Sequence, residues 1–424
     1  MPIILQETKA ALLRAKRLGR KAALNCVAEL DPTAIQQATA LENLPGDQRG
    51  ILEGMPVLVK DNIDVQGLHT TAGSLALADN IATTDAPVVA NLRRNGAVIL
   101  GKTNMTEFAN YTTEGMPGGY SSRGGRVLHA ADPSLSPSGS SSGSAVAVAA
   151  GIVRAAVGTD TSFSVIACAQ DNGICGLKPP VGALRSEGII PIARTLDSAG
   201  AMAVDLQDAL TLYSAMRDAP LPVLEAAPLR ELRIAVNTAN QAMVSQEQRT
   251  FVDEAIGSLR SRGAAVGELV QEYAPQQRTI MQWELKPHLE DYLRTSSAKR
   301  KTLAEIVAFY EAHPRRMMKY GITLLSRALR ETPGELSAAP YREALAIRAV
   351  RQKETIRQLA SYDAVIMTGP TNIMHFCGLP SVCIPSGQKN GYGFSRCLIL
   401  YGADEYRLYR AALAIEALLA QPCR

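Results

Sequence analysis

Hydrophobic and polar positions in the first half of the chain form blocks that predict helices and strands in turn. Residues 5–30 place Ala and Leu at helical spacing among Lys and Arg, which predicts an amphipathic surface helix. Residues 50–62 become rich in Val and Leu, as in a buried strand that ends at Lys60. A helix that begins near Pro87 and a strand over residues 97–102 follow. This alternation indicates an α/β layered architecture.

The pattern continues through the middle of the chain and changes near residue 240. Residues 145–150 are small and apolar after a Gly/Ser loop, which predicts the start of a helix, and residues 153–157 predict a short strand. Residues 240–360 are charged, helical in period and poor in strand signals, so we expect a helical cap or insertion there. Strands that return to the core are then predicted at residues 363–368, 383–385 and 398–400.

Length, composition and charge describe an ordinary globular protein. The chain has 424 residues, of which 46% are hydrophobic and 20% are charged, and this is enough to bury a large core. A net charge of +4 indicates neither nucleic acid nor an acidic partner. The chain has no apolar run of about 18 residues and no signal-peptide pattern at its start, so we expect no membrane span.

The cysteines point to an intracellular protein with reduced thiols. There are seven of them, an odd number, and they are scattered without a CxxC pair, so neither a zinc ribbon nor a disulfide scaffold is indicated. Reduced thiols in a cytoplasmic protein are the simplest interpretation.

Three polar residues in separate segments form the candidate chemistry. Lys60 ends the predicted strand, Ser140 lies in the Gly/Ser run 138–144, and Ser164 follows 24 residues later. Taken singly, they have ordinary explanations: a solvated lysine, a flexible linker and a turn serine. Taken together, they supply what a serine nucleophile needs, because a hydroxyl must give its proton to a base. A lysine can be that base if burial lowers its pKa from about 10.4.

Other hydrolase classes find less support. The five histidines show no paired spacing, which disfavours a Ser-His-Asp hydrolase. No HxxxH or HEXXH pair is present, so we expect no metal, and we expect no cofactor. His375 is interpreted as a core or pocket-wall residue.

The arrangement resembles the amidase signature family, whose members use a Ser–cis-Ser–Lys triad. The resemblance covers most of residues 50–205 and recurs weakly at 361–418. It rests on four segments: VLVKDN at 57–62, GKTNMTEFA at 101–109, SGSSSGS at 138–144 and GLKP at 176–179.

The resemblance implies an α/β fold with a central mixed, twisted β-sheet, helices on both faces of the sheet, and a helical insertion. Residues 1–424 would form a single amidase domain. Its catalytic core would comprise approximately residues 50–205 and 361–418, with the cap at approximately 240–360.

The resemblance also implies a role for each site residue. Ser164 would be the nucleophile and form an acyl-enzyme, Ser140 would be the relay serine that precedes a cis peptide bond, and Lys60 would be the base. Asp160 and Ser141 would support the site. The backbone N–H groups of the oxyanion hole would belong to Thr161, Ser162, Phe163 and Ser164.

The chain departs from the family pattern beside Ser164. Ser162 and Phe163 replace two glycines, which permit a positive φ and a close approach of the backbone to substrate. The arginine that commonly follows is absent, because Ile166 and Ala167 hold its places. This argues against a small dicarboxylic half-amide as substrate. Candidate substrate contacts are Gly139, Tyr120, Arg123 and Phe163, of which Phe163 would line an apolar acyl pocket; for Tyr120 and Arg123 a plain surface loop is the alternative.

The leading functional hypothesis is an amidase that releases ammonia or an amine from a small-molecule carboxamide. An acyl transferase that passes the acyl group to an amine is the alternative on the same scaffold. A third hypothesis is a degenerate or partner-dependent subunit, such as a relative of the glutamine-amidating subunit of tRNA amidotransferases. Retention of Lys60, Ser140 and Ser164 together argues against degeneration. The family also implies a homodimer.

Overall fold

The computed structural model of the protein describes residues 3–332, 335–389 and 395–420. These residues form one large β-sheet, a small two-stranded hairpin of β4 and β5, and helices around them. The strands are β1 Val27–Leu30, β2 Pro56–Lys60, β3 Val98–Thr103, β4 Tyr120–Ser121, β5 Gly125–Arg126, β6 Ala155–Asp160, β7 Cys175–Lys178, β8 Ser198–Ala203, β9 Arg233–Asn237, β10 Ala265–Leu269, β11 Ala364–Met367, β12 Ser381–Lys389 and β13 Ser395–Tyr401.

Helices occupy most of the chain between the strands, and six of them fall between β9 and β11. The α-helices are α1 Ile3–Leu18, α2 Ala34–Glu42, α3 Pro87–Arg94, α4 Ser142–Ala149, α5 Ile166–Asn172, α6 Leu206–Met216, α7 Gln246–Ser261, α8 Gln276–Thr295, α9 Leu303–Ala312, α10 Pro314–Met317, α11 Thr323–Arg330, α12 Ala339–Leu359, α13 Ile373–Phe376 and α14 Glu405–Leu419.

The large sheet mixes parallel and antiparallel neighbours. Its strand order is β1-β3-β2-β6-β8-β7-β12-β13-β11-β9-β10. Strands β3, β2 and β6 run parallel to one another, as do β11, β9 and β10 near the other edge. The strands between these two groups pair antiparallel. The mixed sheet that the family resemblance implied is therefore confirmed.

Both faces of the sheet are covered. Successive residues of β2 alternate between two hydrophobic clusters: Leu58 packs in one, and Val57 and Val59 pack in the other. Helices α1, α2, α4 and α5 contribute to the first cluster, whereas α3, α6, α7 and α14 contribute to the second. All five residues of β2 are buried, as expected for a strand enclosed on both faces. This arrangement confirms the helices predicted on both faces.

Most of the elements predicted from the sequence pattern are confirmed, with one correction at the N-terminus. The predicted helix over 5–30 ends at Leu18, and residues 27–30 instead form β1, which pairs antiparallel with β3. All four residues of β1 are half-buried, so this edge strand lacks the alternation that identifies a strand. The segment 240–360 is mostly helical, but it also contains β10, which forms an edge of the large sheet.

Two further observations concern the expectations drawn from composition. Among the described residues, no helix has the length and apolar character needed to span a membrane. Six of the cysteines are buried free thiols, and Cys423 lies outside the described residues.

Candidate active site

Lys60 is the last residue of β2, and its side chain is fully buried. Strand β2 runs parallel to β6 with Val59 opposite Val157, so the two strand ends bring Lys60 and Thr159 together at one edge of the sheet. Nζ of Lys60 donates to Oγ1 of Thr159 at 2.8 Å and to its carbonyl oxygen at 3.2 Å. The amine is therefore held among interior oxygen atoms and is not solvated.

The Gly/Ser loop before α4 brings two more hydroxyl groups to this amine. Nζ of Lys60 donates to Oγ of Ser140 at 2.7 Å and to Oγ of Ser141 at 3.0 Å. The peptide bond between Gly139 and Ser140 is cis, so Ser140 follows the cis bond and does not precede it. A Cβ at Gly139 would lie 2.4 Å from Oγ1 of Thr106, so this position has room only for glycine.

Ser164 lies in the turn between β6 and α5 and is 6% exposed. Oδ2 of Asp160 accepts the backbone N–H groups of Val165 at 2.7 Å and Ile166 at 3.3 Å, which fixes the start of α5 behind the turn. The N–H of Ser141 donates to the carbonyl oxygen of Ser164 at 3.3 Å. The serine loop and the Ser164 turn are thus directly connected.

The turn before Ser164 presents backbone donors. Among the residues that the structure describes, the N–H groups of Ser162, Phe163 and Ser164 donate no hydrogen bond. Thr161 is anchored by its side chain, because Oγ1 donates to Oδ1 of Asp197 at 2.6 Å. Phe163 adopts a left-handed conformation with φ of 67°. A non-glycine residue therefore occupies the conformation that usually requires glycine.

Burial and neighbouring groups shift the pKa of two residues of the site. Burial lowers the pKa of Lys60 to about 7, although the nearby charge of Asp160 opposes this change. Burial would raise the pKa of Asp160, but His375, Lys178 and the N–H of Val165 together lower it to about 2. The site thus contains a carboxylate and an amine whose burial favours the neutral form.

A cleft opens beside Thr159, whose hydroxyl contacts the amine of Lys60. Its polar lining residues include Thr159, Thr161 and Asn62. Asp197 also lines it, and burial raises the pKa of this carboxyl to about 7. The rest of its lining is largely apolar, with two arginines: Ala109, Leu184, Arg185, Ser186, Ile189, Ile190, Pro191, Ile192, Arg194, Ser198 and Ala199.

Two candidate substrate contacts have partners within the protein. Nη1 of Arg123 lies 3.6 Å from Oδ2 of the buried Asp61. The ring of Tyr120 meets the ring of Tyr320 edge to face at 4.8 Å, and Nζ of Lys319 lies 5.3 Å from each ring centre. Neither Tyr120 nor Arg123 lines the cleft described above. Their roles in substrate binding stay predictions.

Thr159 and Asp197 contact the site directly, and neither was predicted from the sequence. Thr159 could have been found from its place near the end of a strand beside the strand of Lys60. Asp197 reaches the site from β8 and the loop before it, and no local motif signals this. Among the described residues, no group of three or more His, Cys, Asp or Glu side chains could hold a metal ion.

Comparison of the sequence with known proteins identifies relatives along almost the whole chain. The family model described as Amidase matches residues 8–378. A probable amidase from Arabidopsis thaliana is 29% identical over 430 residues, which cover 93% of this chain and 83% of that relative. One of the subunits of the glutamyl-tRNA(Gln) amidotransferase of Streptococcus pneumoniae is 39% identical over 225 residues, which cover 53% of this chain and 44% of that relative.

Solved structures agree with the sequence match. The peptide amidase of Stenotrophomonas maltophilia superposes with a TM-score of 0.90 at 32% identity, covering 98% of this chain and 93% of that chain. An amidase family protein from Bacillus anthracis has a TM-score of 0.89 at 28% identity, and the match covers 98% of this chain and 87% of that chain. The chain therefore belongs to the amidase signature family and is an amide-hydrolysing enzyme.

Proposed function

We propose that the enzyme hydrolyses its amide through a Ser-Ser-Lys triad and an acyl-enzyme intermediate. Oγ of Ser164 attacks the amide carbonyl carbon, and its proton passes through the hydroxyl of Ser140 to neutral Lys60. When the C–N bond breaks, this proton returns through Ser140 to the leaving nitrogen, which departs as ammonia or an amine. The products of this half-reaction are the Ser164 ester and a neutral lysine.

The second half-reaction uses the same groups. A water molecule attacks the ester carbonyl and gives one proton through Ser140 to Lys60, and that proton then goes to Oγ of Ser164 as the ester bond breaks. The carboxylic acid leaves and the free enzyme is restored. The observation that supports this mechanism best is the 2.7 Å contact between Nζ of Lys60 and Oγ of Ser140, because it joins a buried base to a hydroxyl group.

The proposed oxyanion hole consists of backbone N–H groups in the turn Thr161–Ser164. Negative charge develops on the carbonyl oxygen in each half-reaction, and preorganised donors stabilise it. The unpaired N–H groups of Ser162, Phe163 and Ser164 support this assignment. Asp160 and Ser141 act as supports, because the first holds the start of α5 and the second contacts both the amine and the turn.

The proposed substrate is a small carboxamide with an apolar acyl part. The apolar wall of the cleft, which includes Leu184, Ile189 and Ile192, supports this class. The absence of an arginine at Ile166 and Ala167 argues against a second carboxylate on the substrate. Because the peptide amidase of Stenotrophomonas maltophilia is 32% identical, amino-acid and peptide amides belong in the first substrate panel.

The experiment that tests the mechanism is labelling of the purified protein with a fluorophosphonate, followed by peptide mapping. The reagent forms a phosphorus–oxygen bond with an activated serine and releases fluoride. We expect one adduct, on Ser164, and its loss in Lys60→Ala. An adduct on another serine, or none in the folded protein, would contradict the triad assignment. If turnover depends on an added amine, the enzyme is an acyl transferase and not a hydrolase.

We also propose that the chain acts as one amidase domain, with its cap at approximately residues 240–360, and that it forms a homodimer. The family match over residues 8–378 supports the single domain. Light scattering coupled to size-exclusion chromatography tests the homodimer. A mass corresponding to one chain at micromolar concentration would contradict it.

A further inference from the structure

A histidine lies behind the nucleophile turn and has no role in the proposed chemistry. His375 belongs to the short helix α13 and is fully buried. Its Nδ1 lies 3.0 Å from Oδ1 of Asp160, and its ring centre lies 4.2 Å from the ring centre of Phe163. One side chain therefore contacts both the carboxylate that holds the turn and the residue that replaces a glycine within it.

Neither ring nitrogen of His375 makes a well-directed hydrogen bond among the described residues. The same is true of Oδ1 of Asp160, so the 3.0 Å contact is a close approach without good hydrogen-bond geometry. Burying a polar ring without directed partners costs stability. A group retained at such a cost is a candidate for a functional role.

Phe163 explains what the histidine ring does. Its φ of 67° is the conformation that glycine adopts without strain and that a bulky residue rarely adopts. A phenyl ring at this position has to pack against something, and the tilted ring of His375, at an angle of 58°, is its partner. Without this support the turn would be free to relax towards an ordinary backbone conformation.

Asp160 links the histidine to the other side of the turn. Oδ2 of Asp160 accepts the N–H groups of Val165 and Ile166, while Oδ1 faces His375. The histidine helps to keep the pKa of Asp160 low, so the group that holds the start of α5 stays a carboxylate. Ser164 thus lies between Phe163, whose ring packs against His375, and Val165, whose N–H is held by Asp160.

We propose that His375 is a positioning residue that holds the nucleophile turn in its reactive conformation and compensates for phenylalanine in place of glycine at position 163. It acts through Phe163 and Asp160, not by contact with Ser164. The inference rests on the proposed function, because it assumes that Ser164 is the nucleophile and that the N–H groups of the turn bind the oxyanion.

The test measures the rate of fluorophosphonate labelling at Ser164 in three variants that fold, as judged by thermal unfolding. His375→Ala removes both contacts, His375→Phe keeps a ring against Phe163, and His375→Asn keeps a polar group beside Asp160. We expect His375→Ala to slow labelling by about thirtyfold, because small misplacements of reacting groups cost about ten- to a hundredfold. We expect His375→Phe and His375→Asn each to recover part of this loss.

The matched control is His129→Ala, since His129 is also buried but its Nε2 contacts the carbonyl oxygen of Asp171 at the other end of α5. We expect this variant to lose stability and to label at nearly the wild-type rate. An equal slowing in His129→Ala and His375→Ala would overturn the inference, because the loss of any buried histidine would then explain it. Labelling of His375→Ala at the wild-type rate would overturn it as well.

A second measurement tests the coupling to Phe163. In Phe163→Gly the backbone can keep its positive φ without a side chain. The ring of His375 is then no longer needed to hold the turn at this position. We expect His375→Ala to slow labelling much less in Phe163→Gly than in the wild-type background. Additive effects of the two changes would contradict the compensation. If the wild-type protein forms no adduct on Ser164, the proposed function is wrong, and this inference with it. If the wild-type protein labels normally and the His375 variants label at the same rate, only the inference is wrong.

Discussion

Lys60 and Lys102 lie on neighbouring parallel strands, and both are fully buried. Burial lowers the pKa of both amines, to about 7 for Lys60 and to about 8 for Lys102. Their neighbours differ. Nζ of Lys60 contacts the hydroxyl groups of Ser140, Ser141 and Thr159, whereas Nζ of Lys102 contacts mainly carbonyl oxygens, including that of His69 at 3.0 Å.

The comparison shows that burial alone does not make a lysine a base. Two groups that accept from Lys102 are carbonyl oxygens, which only accept hydrogen bonds and so hold an ammonium group in place. A third is Oγ1 of Thr70, which donates its own proton to the carbonyl oxygen of Ile63. A hydroxyl group donates as well as accepts, so the neighbours of Lys60 can pass a proton to its lone pair. We therefore propose different functions for two lysines with similar burial: Lys102 ties loops to the sheet, and Lys60 serves as the base.

Replacement of each lysine by methionine tests this distinction and should give the largest effect. We expect Lys60→Met to slow fluorophosphonate labelling of Ser164 by about a thousandfold, because the base is lost. We expect Lys102→Met to label at nearly the wild-type rate but to unfold at lower denaturant concentration. It leaves buried carbonyl oxygens unpaired, at a cost of about 1–3 kcal/mol each. The two measurements are labelling kinetics and denaturant unfolding.

The comparison would fail if both variants lost labelling to the same extent while remaining folded. Lys102 would then belong to the catalytic machinery. It would also fail if Lys60→Met labelled normally, because another group would have to be the base.

Replacement of the two adjacent serines should give the next largest effect. Both hydroxyl groups lie within 3.0 Å of Nζ of Lys60, but only Ser140 is proposed to pass the proton. We expect Ser140→Ala to slow labelling by about a hundredfold and Ser141→Ala by about fivefold. Labelling rates of the two variants, measured in parallel, decide this. If Ser141→Ala labels more slowly than Ser140→Ala, then Ser141 passes the proton and Ser140 only supports the site.

The pH dependence of labelling should give a smaller effect. Lys60 accepts a proton only in its neutral form, so the rate should rise with pH through about 7 and level off above it. At pH 5.5 about one molecule in thirty has a neutral amine, which predicts a rate about thirtyfold below the plateau. Because the pKa of Asp197 is also raised to about 7, the profile should be repeated in Asp197→Asn. A midpoint that disappears in this variant would assign the titration to Asp197.

The sequence predicted the parts of this site that depend on local patterns. The apolar run before Lys60 predicted a buried strand, and the spacing of Ser140 and Ser164 matched a family motif, so those residues were named from the sequence. The fold followed from the same motifs and from the alternation of helices and strands. Edge strand β1 was missed because its residues are uniformly half-buried.

The remaining site residues depend on contacts between distant segments. His375 lies 215 positions after Asp160, and Asp197 lies 36 positions after Thr161, so no spacing rule connects either pair. The conformation of Phe163 was also unpredictable, because a phenylalanine gives no sign of a left-handed backbone. Such residues become visible only when the sheet brings the ends of different strands together.

The smallest effect should come from two threonines that contact the two lysines. Oγ1 of Thr159 lies 2.8 Å from Nζ of Lys60, and Oγ1 of Thr70 lies 3.1 Å from Nζ of Lys102. Threonine to valine keeps the shape and removes the hydrogen bond to the lysine, which is worth about 1 kcal/mol, or about fivefold in rate. We expect Thr159→Val to slow labelling by about this factor, and Thr70→Val to lower only the free energy of unfolding. A slower reaction in Thr70→Val would mean that the surroundings of Lys102 reach the chemistry, and the division between the two lysines would then have to be abandoned.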